Sequence, residues 1–381
     1  MEAAIAMKPA TTLLMEQNYE RPAPGPGQVL IRVLCCGLCH TDVHVVSGEF
    51  LEQPRFPLIP GHEIVGIIEE LGFSDDSETD VKLGDRVGVP WLHWTCGQCE
   101  WCWTGRENLC PRQLNTGFNV NGGMAQFVLA YSRFVVPIPE SMPSVVAAPL
   151  LCAGLTTFNA LKATGAQAGQ WVGIVGVGGL GHLGIPLSVM LCLHRAHYDA
   201  RSAKAMGLNV VGVDIDHDKL QLALEMGADA TVNAKDEKAV TLIQEGTPDH
   251  LGLHAVVVTA VSPASIGQAM QTLRRGGVCV LVGLRKFWVE FLLDSMFIAP
   301  GDFPMNVCDT VVKGLTVRGS YVGTRQDLVE CLNLAAKFKI QPHVEPTGLF
   351  GVNEAIERMK NGEIRGRVVV CISEEADEFG H

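Results

Sequence analysis

No uninterrupted apolar run of about 18 residues occurs in the 381-residue chain, so the sequence offers no transmembrane helix. Basic residues are few beside acidic ones: 29 Lys and Arg against 41 Asp and Glu, for a net charge of −12. A chain of that sign argues against nucleic acid or an anionic membrane as its main partner. The N-terminal stretch MEAAIAMKPATT carries Glu2 and lacks both a long apolar core and an Arg-rich face. It reads as neither a signal nor a transit peptide, and a cytoplasmic protein is expected. Internal repeats are missing, and only the last residues, EEADEFGH, have a composition that predicts disorder.

What the chain does have is apolar residues (47%), 41 glycines and 13 cysteines. Its length predicts two domains or three. Clustered cysteines in a long acidic chain read better as metal ligands than as disulfides. Over the first ~150 residues, short apolar runs such as Val29–Leu34 and Ile64–Glu70 alternate with Gly, Pro and charge, which predicts a β-rich unit with long loops. From about Cys152 the pattern changes. Strand-like runs at Trp171–Val175, Asn209–Val213, His254–Val258 and Gly277–Val282 alternate with helical stretches at Asp218–Met226 and Pro263–Leu273. That alternation predicts a parallel sheet covered by helices. After about Gly319 a helix near Asp327–Lys337 and a strand at Arg367–Ile372 close the chain.

Cys96, Cys99, Cys102 and Cys110 stand in CGQCEWCWTGRENLC. Four thiolates this close can enclose one tetrahedral zinc, with Gly97 and Gly105 letting the loop wrap. Such a closed site stabilises a lobe and does no chemistry. A second set is scattered: Cys39 in CGLCHTD, His62 and Glu63 in PGHE, and Cys152 in LLCAG. Singly, a buried Cys is usually core and a lone His structural. Together they offer two thiolates and an imidazole with a fourth position open, one of the sets used for catalytic zinc. GVGGLG at Gly176–Gly181 follows a strand and opens an apolar helical stretch. Its glycines suit a tight turn and close approach of a pyrophosphate to a helix N-terminus. Asp214 ends the next strand; it is either an ordinary strand-end acid or the group that accepts from ribose hydroxyls and repels a 2′-phosphate, favouring NAD over NADP.

The segments CGLCHTDVH, PLIPGHE, GDRVGVPWLH, CGQCEWCWTGRENLCP, LCAGLTT and GVGGLGHLG, in this order, closely resemble the zinc-containing alcohol dehydrogenases of the medium-chain dehydrogenase/reductase family, nearest the yeast and bacterial ethanol/propanol type. The resemblance implies an α/β fold: a GroES-like, β-rich catalytic domain (1–153, returning at 320–381) around a Rossmann doubly wound parallel sheet (154–319). It implies Cys39, His62 and Cys152 as catalytic zinc ligands, Glu63 as a nearby carboxylate, and Asp42 as the acid orienting the zinc-binding imidazole. Thr41 would touch the substrate oxygen and His44 form the outer end of a proton relay. Phe50, where yeast-like members usually carry Trp, and Trp91 would line the substrate pocket. NAD would meet His40, Gly176, Gly178, Gly179, Leu180, Gly181, Asp214, Lys219 and Arg367.

The expected reaction is reversible hydride transfer between a small primary alcohol or aldehyde and NAD/NADH, with two zinc ions per chain. Zinc as a Lewis acid lowers the pKa of the alcohol oxygen, and Thr41 and His44 pass the proton outward. A homo-oligomer, a tetramer, is implied. Alternatives are a zinc polyol or aryl-alcohol dehydrogenase, and a catalytically impaired zinc-binding relative.

Two stretches depart from the family. The fingerprint places its acid about 20 residues after the glycines, but Asp214 lies well beyond that, and the surplus falls in Pro186–Ser202. It is expected to interrupt the pyrophosphate helix, since Pro186 disfavours a helix interior. A second surplus, Arg285–Ala299 (RKFWVEFLLDSMFIA), separates VGL from PGDFP. Arg285-Lys286-Phe287 can be encoded CGT AAG TTT, which contains the splice donor GTAAGT. Ile298-Ala299 can be encoded ATA GCA, which contains an acceptor AG. Two readings stand: the stretches are genuine loop insertions, or, as preferred here, both are translated introns, a reading for which the second stretch has the codon content.

Overall fold

A computed structural model describes residues 1–50, 54–72, 81–195, 207–283 and 305–376. It divides into two compact units. One comprises Met1–Leu155, Thr324–Ala336 and Gln341–His381; the other comprises Thr156–Gly323 and Lys337–Ile340.

In the second unit the β-branched runs become six parallel strands. Their spatial order is Ala230–Asn233, Asn209–Asp214, Trp171–Val175, Leu253–Val258, Leu273–Leu281 and Thr316–Gly319. Val172, Ile174, Val210, Val256 and Val257 are all buried. Continuous apolar runs of this kind need helices on both faces of the sheet. Helices His217–Glu225 and Pro263–Gln271 supply cover, and each is opened by a side-chain cap, Asp216 and Ser262 respectively.

The helix after the Gly-rich turn runs Gly181–Arg195 with Pro186 inside it. The expected interruption at Pro186 does not occur. Proline removes one backbone donor, but Leu183, Ile185, Leu187 and Leu191 are buried along the helix, and that burial outweighs one lost hydrogen bond. Residues 196–202 of the first surplus and the whole of Arg285–Ala299 lie outside the described residues.

In the first unit the main sheet has the order Val344–Gly348, Arg367–Cys371, Gln28–Leu38, Glu63–Leu71, Arg86–Val89 and Val136–Pro137, with Phe127–Tyr131 also paired to Gln28–Leu38. Gln28–Leu38 and Glu63–Leu71 run antiparallel in a register that sets Gly37 opposite Glu63. This register fixes the site, because Cys39 follows one strand and His62 precedes the other. The first three residues of the C-terminal stretch expected to be disordered are ordered. Glu374–Ala376 forms a 3-10 turn, Ala376 is buried, and Glu375 pairs with Arg32 at 3.0 Å. Ser144–Thr164 is long and apolar enough to cross a membrane, but 89% of its apolar window is buried inside the protein.

Candidate active site and metal centres

Cys39 caps the helix His40–Ser47, and the cap is reciprocal: the Asp42 carboxylate takes the Cys39 backbone N–H at 2.9 Å. The other Asp42 oxygen accepts from the Gly61 amide (3.1 Å) and bonds His62 Nδ1 (2.8 Å). An acceptor there requires the proton on Nδ1, which leaves the Nε2 lone pair free. Cys152 arrives on a π-helical turn, Leu150–Gly154, in the Ser144–Thr164 run. Such single-turn bulges recur at functional sites.

One ligand atom each from Cys39, His62, Glu63 and Cys152 lies within 4.8 Å of the others, and all four residues are buried. Two atoms in this group, His62 Nε2 and Glu63 Oε2, have no hydrogen-bond partner among the described residues. Leaving a buried polar atom unmatched costs about 1–3 kcal/mol. The donor set of two sulfurs, an imidazole nitrogen and a carboxylate is the one zinc prefers, so the residues fit the metal. The electrostatics agree. A hydrogen bond from Cys152 and the nearby His62 and Arg367 hold the Cys39 thiol well below its usual range, against the effect of burial. Cys152 rises correspondingly, because the two thiols share one proton. Burial pushes the Glu63 carboxyl up to about 7 despite the pull of Arg367. Arg367 Nη2 donates to Glu63 Oε1. Thr41 Oγ1 lies 3.6 Å from Cys39 Sγ, and exposed His40 opens the helix.

The four-cysteine loop also closes on itself. Sγ–Sγ separations are 3.5 Å for Cys99–Cys102, 3.6 Å for Cys96–Cys110 and 3.9 Å for Cys96–Cys102. Gly97 and Gly105 both adopt left-handed backbone, with φ 66° and 69°. The backbone amide of Gln98 draws Cys96 down to about 6, whereas burial pushes Cys110 up to about 11.

In the other unit, Gly176 turns the chain at φ 95°. A Cβ on Gly181 would meet the Gly176 carbonyl oxygen at 1.9 Å, whereas one on Gly178 would meet nothing within 4 Å. The third glycine is thus needed for packing, and the second leaves open space where a phosphate would approach. Asp214 braces this turn. Its Oδ2 accepts from Val177 N at 2.7 Å, and its Oδ1 accepts from Ile215 N and Asp216 N. Lys219 is half-buried on the following helix.

Residues 25–140 match the alcohol dehydrogenase GroES-like domain, and residues 197–337 match the zinc-binding dehydrogenase domain. An alcohol dehydrogenase of Geobacillus stearothermophilus is 45% identical over 94% of this chain and 96% of its own length. The chain belongs to the zinc-type, medium-chain alcohol dehydrogenases. Among solved structures, the alcohol dehydrogenase of the archaeon Aeropyrum pernix superposes with a TM-score of 0.80 at 29% identity, over 97% of this chain and all of that one. A zinc-binding dehydrogenase of Sinorhizobium meliloti bound to NADP gives 0.79 at 25% identity, covering 97% and 98%.

Beside its candidate metal ligands the dehydrogenase carries an aromatic row. Trp91 meets His62 edge-on at 5.0 Å between ring centroids. Phe118 lies 5.9 Å from Trp91 and 5.1 Å from Phe50. Phe50 and Trp91 are the expected pocket residues, whereas nothing in the sequence pointed to Phe118. It sits in the loop TGFNVNGG with no periodicity or motif, and only the fold sets it between the other two rings.

Proposed function

We propose that this dehydrogenase interconverts small primary alcohols and aldehydes with NAD as hydride carrier, using one catalytic and one structural zinc per chain. The observation that carries the proposal is the buried meeting of Cys39, His62 and Cys152 beside Glu63. These three would hold the catalytic zinc, and Cys96, Cys99, Cys102 and Cys110 the structural one. Bound zinc supplies Lewis acidity at the substrate oxygen.

The chain's own groups do the rest. Asp42 orients His62 and so keeps a nitrogen lone pair on the cluster. Thr41 is proposed to take the substrate's hydroxyl proton, and His44 to carry it outward. Phe50, Trp91 and Phe118 offer an apolar wall, which suits a small aliphatic alcohol better than a polyol whose hydroxyls need partners. The open approach at Gly178 and the helix opening at Gly181 suit a pyrophosphate. His40 and Arg367, whose Nε is buried without a hydrogen-bond partner among the described residues, are proposed as further cofactor contacts. Asp214, with Lys219, is proposed to hold the adenosine ribose; its charge disfavours a 2′-phosphate and so favours NAD.

A homotetramer is also proposed. Val307, Val311 and Val312 are 66%, 72% and 58% exposed on the helix Val307–Lys313. The adjacent edge strand Thr316–Gly319 is exposed throughout. Among the described residues this sheet edge is unpaired, and with the exposed valines beside it, it invites pairing with another copy.

The test is direct. Metal analysis is expected to give about two zinc ions per chain. Relative kcat/KM is expected to favour ethanol and propanol over benzyl alcohol and sorbitol, with NAD preferred over NADP. Preference for sorbitol, or failure of NAD to support turnover, would overturn the reading.

A further inference from the structure

His44 has a carboxylate partner for which the sequence motifs provide no role. The helix His40–Ser47 ends on Gly48, whose φ of 71° is left-handed. The Gly48 amide bonds the Val45 carbonyl at 3.1 Å and the Glu49 amide bonds the His44 carbonyl at 2.9 Å. These are the two bonds of a Schellman end. They fold the chain back so that Glu49 stands over the residue whose carbonyl its amide has bound. Its Oε2 lies 2.6 Å from His44 Nδ1, with the Glu49 side chain only 9% exposed. Phe50, next in the chain, meets the His44 ring edge-on at 6.5 Å.

We propose that Glu49 is a positioning residue for the proton relay. An ionised carboxylate only accepts hydrogen bonds, so this contact keeps the proton on His44 Nδ1. The Nε2 lone pair is then the one available to receive a proton from the Thr41 side. When that proton arrives, the same carboxylate faces the imidazolium. A helix terminus thus sets which nitrogen works: Gly48 permits the turn, the turn delivers Glu49, and Glu49 selects the tautomer. The inference rests on the proposed relay role of His44.

The test uses the full chain and Glu49→Gln, Glu49→Ala and Glu49→Asp variants. Nitrogen-15 NMR of the imidazoles, with His44→Gln to assign the signal, should show His44 protonated at Nδ1 in the parent. The Ala and Gln variants should shift it toward a mixture of tautomers, since an amide can donate or accept. Alcohol oxidation should fall about tenfold in kcat for Ala and Gln, with KM and zinc content nearly unchanged. Asp should recover part of the loss. A parent signal protonated at Nε2, or a Gln variant with full kcat, would overturn the proposal. Absence of any alcohol-dependent NAD reduction by the parent chain would instead overturn the reading on which it rests.

Discussion

Asp42 shows how much a single short side chain can settle. It closes the cap of the helix His40–Ser47, takes the Gly61 amide and fixes the His62 ring, with every acceptor used inside a buried pocket. His93 is the opposite case. It is buried against Tyr131, with ring centroids 5.4 Å apart, and its Nδ1 has no hydrogen-bond partner among the described residues. Burial lowers it to about 4, whereas in the unfolded chain it titrates near 6.5. The unfolded state therefore binds more protons between those two values, and stability drains as pH falls through that window, at up to about 1.4 kcal/mol per pH unit. A His93→Phe variant keeps the ring and loses the titration. Its unfolding temperature relative to the parent is expected to climb as pH drops from 7 to 5. A constant difference across that range would show that His93 does not titrate on unfolding.

At the scale of elements, the four-cysteine loop has little packing of its own to hold it. The helix Glu100–Trp103 is a single turn with no buried residue, and Trp103 is fully exposed in practice at 76%. An element that buries so little cannot order itself by the hydrophobic effect. What anchors it to its unit is the ion pair of Glu107 with Arg325 at 2.7 Å, with Arg325 also stacked on Phe134 at 4.4 Å. Cys99→Ser is expected to remove about one zinc per chain and lower the stability of the unit holding the loop, while the parallel sheet keeps its fold. Unchanged zinc content by metal analysis would remove these cysteines from the assignment. The pyrophosphate helix teaches a related lesson. Pro186 read as a breaker, yet the apolar positions on either side hold the helix through it to Arg195.

At the scale of the whole molecule, the two surplus stretches ask whether the chain as written is the working one. Arg285–Ala299, which the family resemblance marks as surplus, brings Phe, Trp, Leu and Met, and apolar residues that find no core favour aggregation. A chain trimmed to GIPSAKAMG and VGLPPGDFP is expected to be more soluble than the full one and to bind NADH more tightly. In the first junction Ala203 and Met206 would fall at the buried places of Ser188 and Leu191, so the helix keeps its apolar face. Sedimentation and NADH fluorescence titration of both chains check this. Equal solubility and affinity would mark both stretches as genuine loops of this enzyme.

The four clustered cysteines, the glycine turn and the four inner strands of the parallel sheet were legible in the sequence, because each is written in neighbouring residues, whereas the short edge strands Ala230–Asn233 and Thr316–Gly319 were not. Spacing alone brings Cys96, Cys99, Cys102 and Cys110 together, and apolar continuity alone marks Trp171–Val175 or Leu253–Val258 as buried strands. Cys39, His62 and Cys152 could be read from the residues as a possible ligand set, but only the family resemblance implied that they meet. They are far apart in the chain, and nothing local draws Cys152 to Cys39. Tertiary structure decides that meeting through the pairing of Gly37 with Glu63 and the π turn under Cys152. The same holds for Phe118 between two aromatic rings and for Glu49 on His44. A contact between distant residues is chosen by strand register and by how a helix ends, and those are properties of the folded chain.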